Sequence, residues 1–237
     1  MDFGNGVAAH RGNMSAFPEN TMEAFESAVK MGCSWLELDI QKTADGTIVV
    51  THDASTERVT GIHHTVGSTT LATLKTLNFG HSFDPSKHYA LPLLSDVLEL
   101  VKGTNTYVSI QPKQYGLVKD ALQLAIDMGL KNSIGFNDVN CEYLIEVKQR
   151  DSSIPVFWDR PPLTDFDNDI FIATRYGFET LMYEWQGITA EKIAVVKQHN
   201  IRFGACVINE TEAMKKYLQM GVQHFYTDYP QQLLELI

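Results

Sequence analysis

The chain has too few cysteine residues for a disulfide framework. It contains three, Cys33, Cys141 and Cys206, and this odd number at wide spacing fits neither a set of disulfides nor a zinc site. Each lies in an apolar segment, so we expect buried thiols. Free thiols indicate a reducing compartment and favour a cytoplasmic protein, with a secreted or periplasmic mature form as the open alternative.

Long hydrophobic runs and an excess of basic residues are also absent. No apolar run reaches the ~18 residues needed to span a bilayer, and residues 1–6 carry neither the basic nor the apolar part of a signal peptide. The chain contains 19 Lys and Arg residues and 29 Asp and Glu residues, which gives a net charge of −10. An acidic surface releases no counterions from nucleic acid or anionic lipid. We therefore expect no nucleic-acid partner and no stable membrane insertion, and the composition indicates no particular oligomeric state.

What the sequence contains is an alternation of short β-type runs with amphipathic helical patterns. The apolar runs predict eight strands, at residues 6–10, 35–40, 107–111, 133–136, 155–158, 180–183, 202–207 and 223–227. Alternation of strands with helices predicts a parallel sheet. The count of eight favours a (β/α)₈ TIM barrel over the open doubly wound sheet, and 237 residues suit a single barrel domain over residues 1–237.

One segment does not follow this repeat. Residues 44–104 separate the second and third predicted strands and contain a further β-like run at 47–51 and a helical pattern at 95–102. This is longer than an ordinary connection between a strand and a helix. We interpret it as a short insertion after the second strand, at the mouth of the active site.

Oxygen ligands for a cation are predicted at two strand ends. Glu37 and Asp39 are two residues apart on the second strand, so they face the same side. Two neighbouring carboxylates repel each other and are costly to bury, and a hard divalent cation resolves both problems. Gln111 and Lys113 share a face at the end of the third strand, where they could offer an amide oxygen and a cationic group. An exposed edge strand and a surface lysine are the alternative readings.

Groups for proton transfer and anion binding follow other strands. His10 and Arg11 end the first apolar run, and His52 ends the run at 47–51. Imidazole titrates near neutral pH and suits proton transfer to and from a phosphate ester. Glu19 precedes the first helix, where capping explains Asn20 but not Glu19. Each residue alone could be structural, but together they are typical of metal-assisted phosphoryl chemistry.

These motifs resemble those of the glycerophosphodiester phosphodiesterase family over nearly the whole chain. The segments that carry the resemblance are Ala-His-Arg-Gly at 9–12, Pro-Glu-Asn-Thr at 18–21, Glu-Leu-Asp-Ile-Gln at 37–41, Val-Val-Thr-His-Asp at 49–53 and Thr-Asp-Tyr-Pro at 227–230. The resemblance implies a (β/α)₈ barrel with an insertion after the second strand. It also implies hydrolysis of glycerophosphodiesters, which are small phosphodiester substrates, to glycerol 3-phosphate and an alcohol.

The resemblance further implies a role for each candidate residue. General acid and base would be His10 and His52, the substrate would be bound by Arg11, Glu19 and Lys113, and the divalent cation, Mg²⁺ or Ca²⁺, would be held by Glu37, Asp39 and Gln111.

One departure from the family pattern concerns the cation. The family usually has Glu at the third strand, where this chain has Gln111 in the run Gln-Pro-Lys. An amide oxygen can still bind a cation, but the site loses one negative charge. The lost charge leaves open the alternative of a non-catalytic phosphodiester-binding barrel. A second alternative is a phosphodiesterase that acts like a lysophospholipase D or sphingomyelinase D, as related barrels do. This second alternative needs an apolar rim, for which the candidates are Phe79, Phe83, Tyr89 and Trp185.

Overall fold

A computed structural model describes residues 4–237, and within them eight parallel strands close into a barrel. The strands of the barrel are β1 Val7–His10, β2 Trp35–Lys42, β4 Tyr107–Pro112, β5 Ile134–Asp138, β6 Val156–Arg160, β7 Thr180–Glu184, β8 Arg202–Cys206 and β9 His224–Thr227. They are hydrogen-bonded in the order β1-β9-β8-β7-β6-β5-β4-β2, and pairing of β1 with β2 closes the ring. The predicted (β/α)₈ barrel is confirmed. A ninth strand, β3 Ile48–Val50, pairs antiparallel with β2.

Helices alternate with these strands. They are α1 Met22–Met31, α2 Glu57–Thr60, α3 Leu71–Leu74, α4 Leu94–Val101, α5 Leu117–Asp127, α6 Cys141–Arg150, α7 Phe166–Tyr176, α8 Ala190–Gln198, α9 Thr211–Gln219 and α10 Pro230–Leu234. Short 3₁₀ turns occupy Val66–Ser68, Lys131–Ser133 and Trp185–Gly187. None of the helices within residues 4–237 combines the length and apolar character that crossing a bilayer requires.

The start of α1 differs from its expected form. Thr21, not Asn20, is the capping residue, and its hydroxyl accepts a hydrogen bond from the backbone N–H of Ala24. Asn20 instead has a φ of 54°, in the left-handed region that Asn tolerates better than most residues. Its side chain is thereby available to the second strand, where it contacts Asp39.

Apolar side chains fill two layers. The larger layer lies between the barrel strands and the outer helices. The smaller one lies inside the barrel, where Trp35 packs edge-on against Phe157 with a centroid distance of 4.8 Å. Cys33 and Cys206 are buried as expected, whereas Cys141, the first residue of α6, is only half-buried. Trp35 is the first residue of β2 and Phe157 the second residue of β6, so this packing fills the barrel near the amino ends of its strands.

The segment between β2 and α4 has its own small core. Six apolar residues form it: Val49, Val66, Leu74, Leu77, Phe79 and Leu91. Pairing of β3 with β2 attaches this segment to the barrel, and the isolated bridge between Val49 and Leu93 joins its two ends. The helix α4 packs against α1 and α5, so it takes the place of an ordinary outer helix. The part with no counterpart in the other repeats therefore ends before Leu94.

Candidate active site

Polar side chains gather at the carboxyl ends of the barrel strands. Register explains why: His10 of β1 is paired with Glu37 of β2, and Asp39 of β2 is paired with Gln111 of β4. Lys113 follows β4 directly and hydrogen-bonds through its backbone N–H to the carbonyl of Ile40. The antiparallel strand β3 returns the chain to the same end, because the backbone N–H of Thr51 bonds to the carbonyl of Asp39. His52 follows Thr51, so the site residues expected from sequence approach one another.

His10 is oriented by a carboxylate from the far end of the chain. Its Nδ1 lies 2.7 Å from Oδ1 of Asp228, which follows β9. A carboxylate accepts only, so Nδ1 carries a proton and Nε2 is left for proton exchange. Nε2 lies 3.9 Å from Oε2 of Glu37. Burial lowers the pKa of His10, but the bond to Asp228 and the charge of Glu37 outweigh it, and the pKa is raised.

His52 has the same arrangement with a local partner. Its Nδ1 lies 2.6 Å from Oδ1 of Asp53, and Nε of Arg58 donates to Oδ2 of Asp53 at 2.5 Å. Burial raises the pKa of Asp53, but the bonds from Arg58 and His52 outweigh it and lower the pKa to about 2. Asp53 is therefore ionised at neutral pH. Both imidazoles thus have a carboxylate on Nδ1 and an Nε2 free of that bond.

The side chain of Glu19 lies between Arg11, which follows the first strand, and Arg58 of the insertion. Its Oε1 accepts from Nη1 of Arg11 at 2.9 Å, and its two oxygens accept from Arg58 at 2.6 and 2.8 Å. Burial raises the pKa of Glu19, but Arg58 and Arg11 outweigh it and lower the pKa. Glu19 is thus an anion held between two guanidinium groups. In this structure it positions Arg11.

The backbone around Arg11 is strained. Arg11 has a φ of 53° and Gly12 a φ of 88°, and a Cβ on Gly12 would lie 2.6 Å from Cβ of Ala24. A non-glycine residue at positive φ costs about 1–3 kcal/mol and persists where its surroundings hold it. The N–H of Arg11 donates to Oε2 of Glu37 at 3.1 Å. The tight turn thus aims both the guanidinium and a backbone donor at the carboxylates of β2.

Glu37 is a buried carboxylate whose contacts include no lysine or arginine side chain. It is 2% exposed, and its Oε1 accepts from Nδ2 of Asn137 at 3.4 Å. Burial raises the pKa of Glu37, and the charge of Asp39 raises it further. A carboxylate in this position is incompletely compensated by its neighbours.

The negative charge of Asp39 is compensated by more neighbouring groups than that of Glu37. It is 1% exposed, and its oxygens lie 2.9 Å from Nζ of Lys113 and 3.3 Å from Nε of Arg11. The side-chain amide of Asn20 donates to it at 2.9 Å. Burial would raise the pKa of Asp39, but Lys113 and Arg11 outweigh burial and lower it. The two carboxylates of β2 therefore have opposite pKa shifts.

Gln111 lies between this cluster and a further carboxylate. Its Oε1 accepts from Nζ of Lys113, and its Nε2 lies 3.4 Å from Oδ2 of Asp159 on β6. Nδ2 of Asn137 also donates to Oδ2 of Asp159, at 3.2 Å. Burial raises the pKa of Asp159 to about 8, and the charge of Glu37 acts in the same direction.

A cavity of about 370 Å³ opens beside these groups. Its polar lining includes His10, Glu37, Gln111 and Asp159, and its other side is formed by residues such as Val139, Trp185 and Val207. Of the four residues expected to form an apolar rim, Trp185 lines the cavity. Phe79 and Tyr89 are buried, at 4% and 5% exposure, whereas Phe83 is 52% exposed.

The three residues predicted to bind a cation, Glu37, Asp39 and Gln111, carry side-chain oxygen atoms, which are the ligand type that a hard divalent cation prefers. Glu37 can offer only oxygen to such an ion, and within residues 4–237 it forms no ion pair with a lysine or arginine side chain. The amide oxygen of Gln111 is of the same kind but accepts from Nζ of Lys113 in this structure. Asp39 is engaged by Lys113 and Arg11. Consistent with that engagement, no cluster of three or more His, Cys, Asp or Glu residues within 4–237 is already arranged around a metal position.

Sequence reasoning missed several residues of the site: Asn20, Asp53, Arg58, Asn137, Asp159 and Asp228. Three of these had a signal in the sequence: Asp228 follows the last predicted strand, Asp53 follows His52, and Asp159 follows the apolar run Val-Phe-Trp at 156–158. The strand-end rule would have found Asp159.

Known proteins are similar in sequence to almost the whole chain. Residues 10–232 match the model of the glycerophosphoryl diester phosphodiesterase family. The chain is 27% identical over 238 residues to the glycerophosphodiester phosphodiesterase of Caldanaerobacter subterraneus subsp. tengcongensis, covering 98% of this chain and 97% of that protein. It is 26% identical over 245 residues to the glycerophosphodiester phosphodiesterase of Bacillus altitudinis, covering 97% of each.

Solved structures share the fold. A phosphodiesterase from Oleispira antarctica in complex with the product sn-glycerol-3-phosphate has a TM-score of 0.85 at 22% identity, covering 97% of this chain and 95% of that one. A putative glycerophosphoryl diester phosphodiesterase from Agrobacterium tumefaciens has a TM-score of 0.89 at 20% identity, covering 98% and 96%.

Proposed function

Because the chain belongs to the glycerophosphoryl diester phosphodiesterase family, we propose that it hydrolyses glycerophosphodiesters to glycerol 3-phosphate and an alcohol. The observation that carries the proposal is the pair of imidazoles with a carboxylate on Nδ1 of each, His10 with Asp228 and His52 with Asp53. His10 ends β1 beside Glu37, and His52 follows β3, the strand that pairs with the carboxyl end of β2. Such pairs suit reversible proton transfer to oxygen.

His10 and His52 form the general acid and base of the proposed reaction. With Nδ1–H bound to a carboxylate, a neutral ring accepts a proton at Nε2 and a protonated ring donates one there. One imidazole removes the proton of the attacking hydroxyl, which we take to be that of the glycerol moiety. The other protonates the leaving alcohol oxygen. The roles reverse when water opens the resulting cyclic phosphate.

Arg11 and Lys113 bind the phosphate in this proposal. Both guanidinium and ammonium groups already share the Asp39 carboxylate, and Glu19 fixes the direction of Arg11. A phosphate oxygen entering the site would accept from donors that are ordered before binding, which limits the entropy lost on binding.

Glu37, Asp39 and Gln111 would hold Mg²⁺ or Ca²⁺. The ion would offset negative charge on the phosphate oxygens and lower the pKa of the attacking hydroxyl. Of the three residues, Glu37 has the least compensation from side-chain cations, so we expect it to contribute most to cation affinity.

The test is turnover of glycerophosphocholine by the purified protein, with EDTA and with Mg²⁺ or Ca²⁺ restored. His10→Ala and His52→Ala should each lower kcat by about 10²–10⁴-fold, the range for general acid–base groups. His199→Ala is the matched control, because His199 ends α8 on the outside of the barrel. A rate near wild type in either site variant would contradict the acid–base assignment.

A chain-length series of lysophospholipids tests the alternative substrate class. Of the four candidates for an apolar rim, Trp185 lines the cavity, but Phe79 and Tyr89 are buried and Phe83 does not line that cavity. We therefore expect the rate to fall, not rise, with acyl chain length. Binding of glycerophosphocholine without any turnover would instead indicate a non-catalytic barrel.

A further inference from the structure

Asp159 is a carboxylate in the cavity that the proposed reaction does not use. It stands near the carboxyl end of β6 and lines the cavity together with Glu37 and Gln111. Its Oδ1 is shielded from solvent and has no hydrogen-bond partner. A buried oxygen with a lone pair and no donor is costly, unless a group outside the protein supplies the missing contact.

The contacts of Asp159 include no positive charge. Its Oδ2 accepts only from two neutral amides, those of Asn137 and Gln111. Arg160 follows it but turns away: its guanidinium lies 2.9 Å from Asp169 and stacks on the ring of Trp158. Among residues 4–237, Asp159 therefore takes part in no ion pair.

Within residues 4–237, Glu37 likewise has no ion pair with a lysine or arginine side chain, although Nε2 of His10 lies 3.9 Å from its Oε2. Nδ2 of Asn137 is within 3.4 Å of Oε1 of Glu37 and within 3.2 Å of Oδ2 of Asp159, so one amide nitrogen separates the two carboxylates. Each repels the other, and a shared amide compensates them weakly. A compact cation would contact the unpartnered Oδ1 of Asp159 and would also compensate the charge of Glu37.

We propose that Asp159 is a carboxylate ligand of a divalent cation shared with Glu37, and that it supplies the charge which the neutral side chain of Gln111, its hydrogen-bond partner, does not. The proposal deepens the proposed function and rests on it, because it names a further residue for the cation that this function uses. Oxygen-only donors and two carboxylates select Mg²⁺ or Ca²⁺ over softer metals.

The experiment is titration calorimetry of the EDTA-treated full chain with CaCl₂ and with MgCl₂. We expect Asp159→Asn, which keeps the shape of the side chain, to weaken binding at least about 10-fold. Asp138→Asn is the matched control. Asp138 also ends a strand of this region, but its Oδ1 is already engaged by the backbone N–H of Asn140 at 2.7 Å. We expect this control to change affinity much less.

Thermal unfolding separates a ligand from a structural residue. In EDTA, Asp159→Asn should unfold at the same temperature as wild type or a higher one, because burial already disfavours the ionised form of Asp159, whose pKa is raised to about 8, and the amide keeps the shape of the side chain. Added Ca²⁺ should raise the Tm of the wild type more than that of the variant. A lower Tm in EDTA together with an unchanged Ca²⁺ increment would assign Asp159 a purely structural role and overturn the proposal.

The double variant Gln111→Glu/Asp159→Asn returns one carboxylate to the site. It should recover most of the cation affinity lost in Asp159→Asn, since position 111 contacts position 159 directly. Wild-type affinity in Asp159→Asn would overturn the proposal while leaving turnover by His10 and His52 unaffected. Cation binding that depends on Asp159, without hydrolysis of glycerophosphocholine, would support this proposal and contradict the proposed function.

Discussion

Replacing Asp228 by Asn tests whether the distant carboxylate sets the proton state of His10. Oδ1 of Asn209 accepts from the hydroxyl of Thr227 and the N–H of Asp228, so its Nδ2 must be the donor to Oδ2 of Asp228, at 2.7 Å. An Asn at position 228 would satisfy Asn209 with its carbonyl oxygen. Its own NH₂ group would then face Nδ1 of His10. That geometry favours the tautomer with the proton on Nε2, which cannot act as a base.

The size of the effect follows from the bond that is lost. A hydrogen bond to a charged group contributes about 1.5–3 kcal/mol. If Asp228 stabilises only the protonated or correctly oriented imidazole, its loss should lower kcat/KM by about 10-fold to 150-fold. The pKa of His10 should fall as well, because the bond to Asp228 and its charge both raise that pKa. The limb of the pH profile that follows His10 should therefore move to lower pH.

The assay is the pH dependence of kcat/KM for glycerophosphocholine, with the Tm of each variant measured beside it. Asp151→Asn is the matched control, since Asp151 also loses a charged bond, to Lys131 at 2.6 Å, but lies at the end of α6 before β6 begins. The control should keep wild-type kinetics. If Asp228→Asn folds normally and shows neither a lower kcat/KM nor a shifted limb, the orientation of His10 by Asp228 has no catalytic consequence.

Two further predictions concern stability. Gly12→Ala should lower the free energy of unfolding by at least about 2 kcal/mol in urea titrations, because of the positive φ and the contact with Ala24; an unchanged midpoint would contradict the strain. Asp53 has a folded-state pKa of about 2, below its ordinary 3.8, so its stabilising effect is present above pH 4 and is lost as the pH falls towards 2. Asp53→Asn should therefore destabilise the protein by no more than about 1 kcal/mol at pH 5, given the partial exposure of the pair. Between pH 4 and pH 2, the free energy of unfolding should fall less in Asp53→Asn than in wild type. An equal fall in the two proteins would refute this prediction.

The barrel and half of the site could be predicted from local pattern. All eight strands were expected within two residues of their observed bounds, because apolar runs bounded by turn residues are a short-range signal. Glu37 and Asp39 were placed on one face because side chains alternate along a strand. These inferences need only the neighbours of each residue in sequence.

The partners of these residues could not be predicted in the same way. Asp228 is 218 positions from His10, and they meet only because β1 pairs with β9 when the barrel closes. The sequence predicts Asn20 as the helix cap, whereas in the fold Thr21 caps α1 and the side chain of Asn20 contacts Asp39, a partner 19 positions away.

Local sequence pattern is enough to predict the two histidines, the carboxylates of β2 and the end of the barrel at which they lie. The distribution of charge among the site residues becomes visible only in the folded barrel. Asp39 lies against Lys113 and Arg11, whereas Glu37 and Asp159 share a single amide. The physical reason is that electrostatic compensation depends on distances of a few ångströms between side chains from different strands, which no local pattern along the chain specifies.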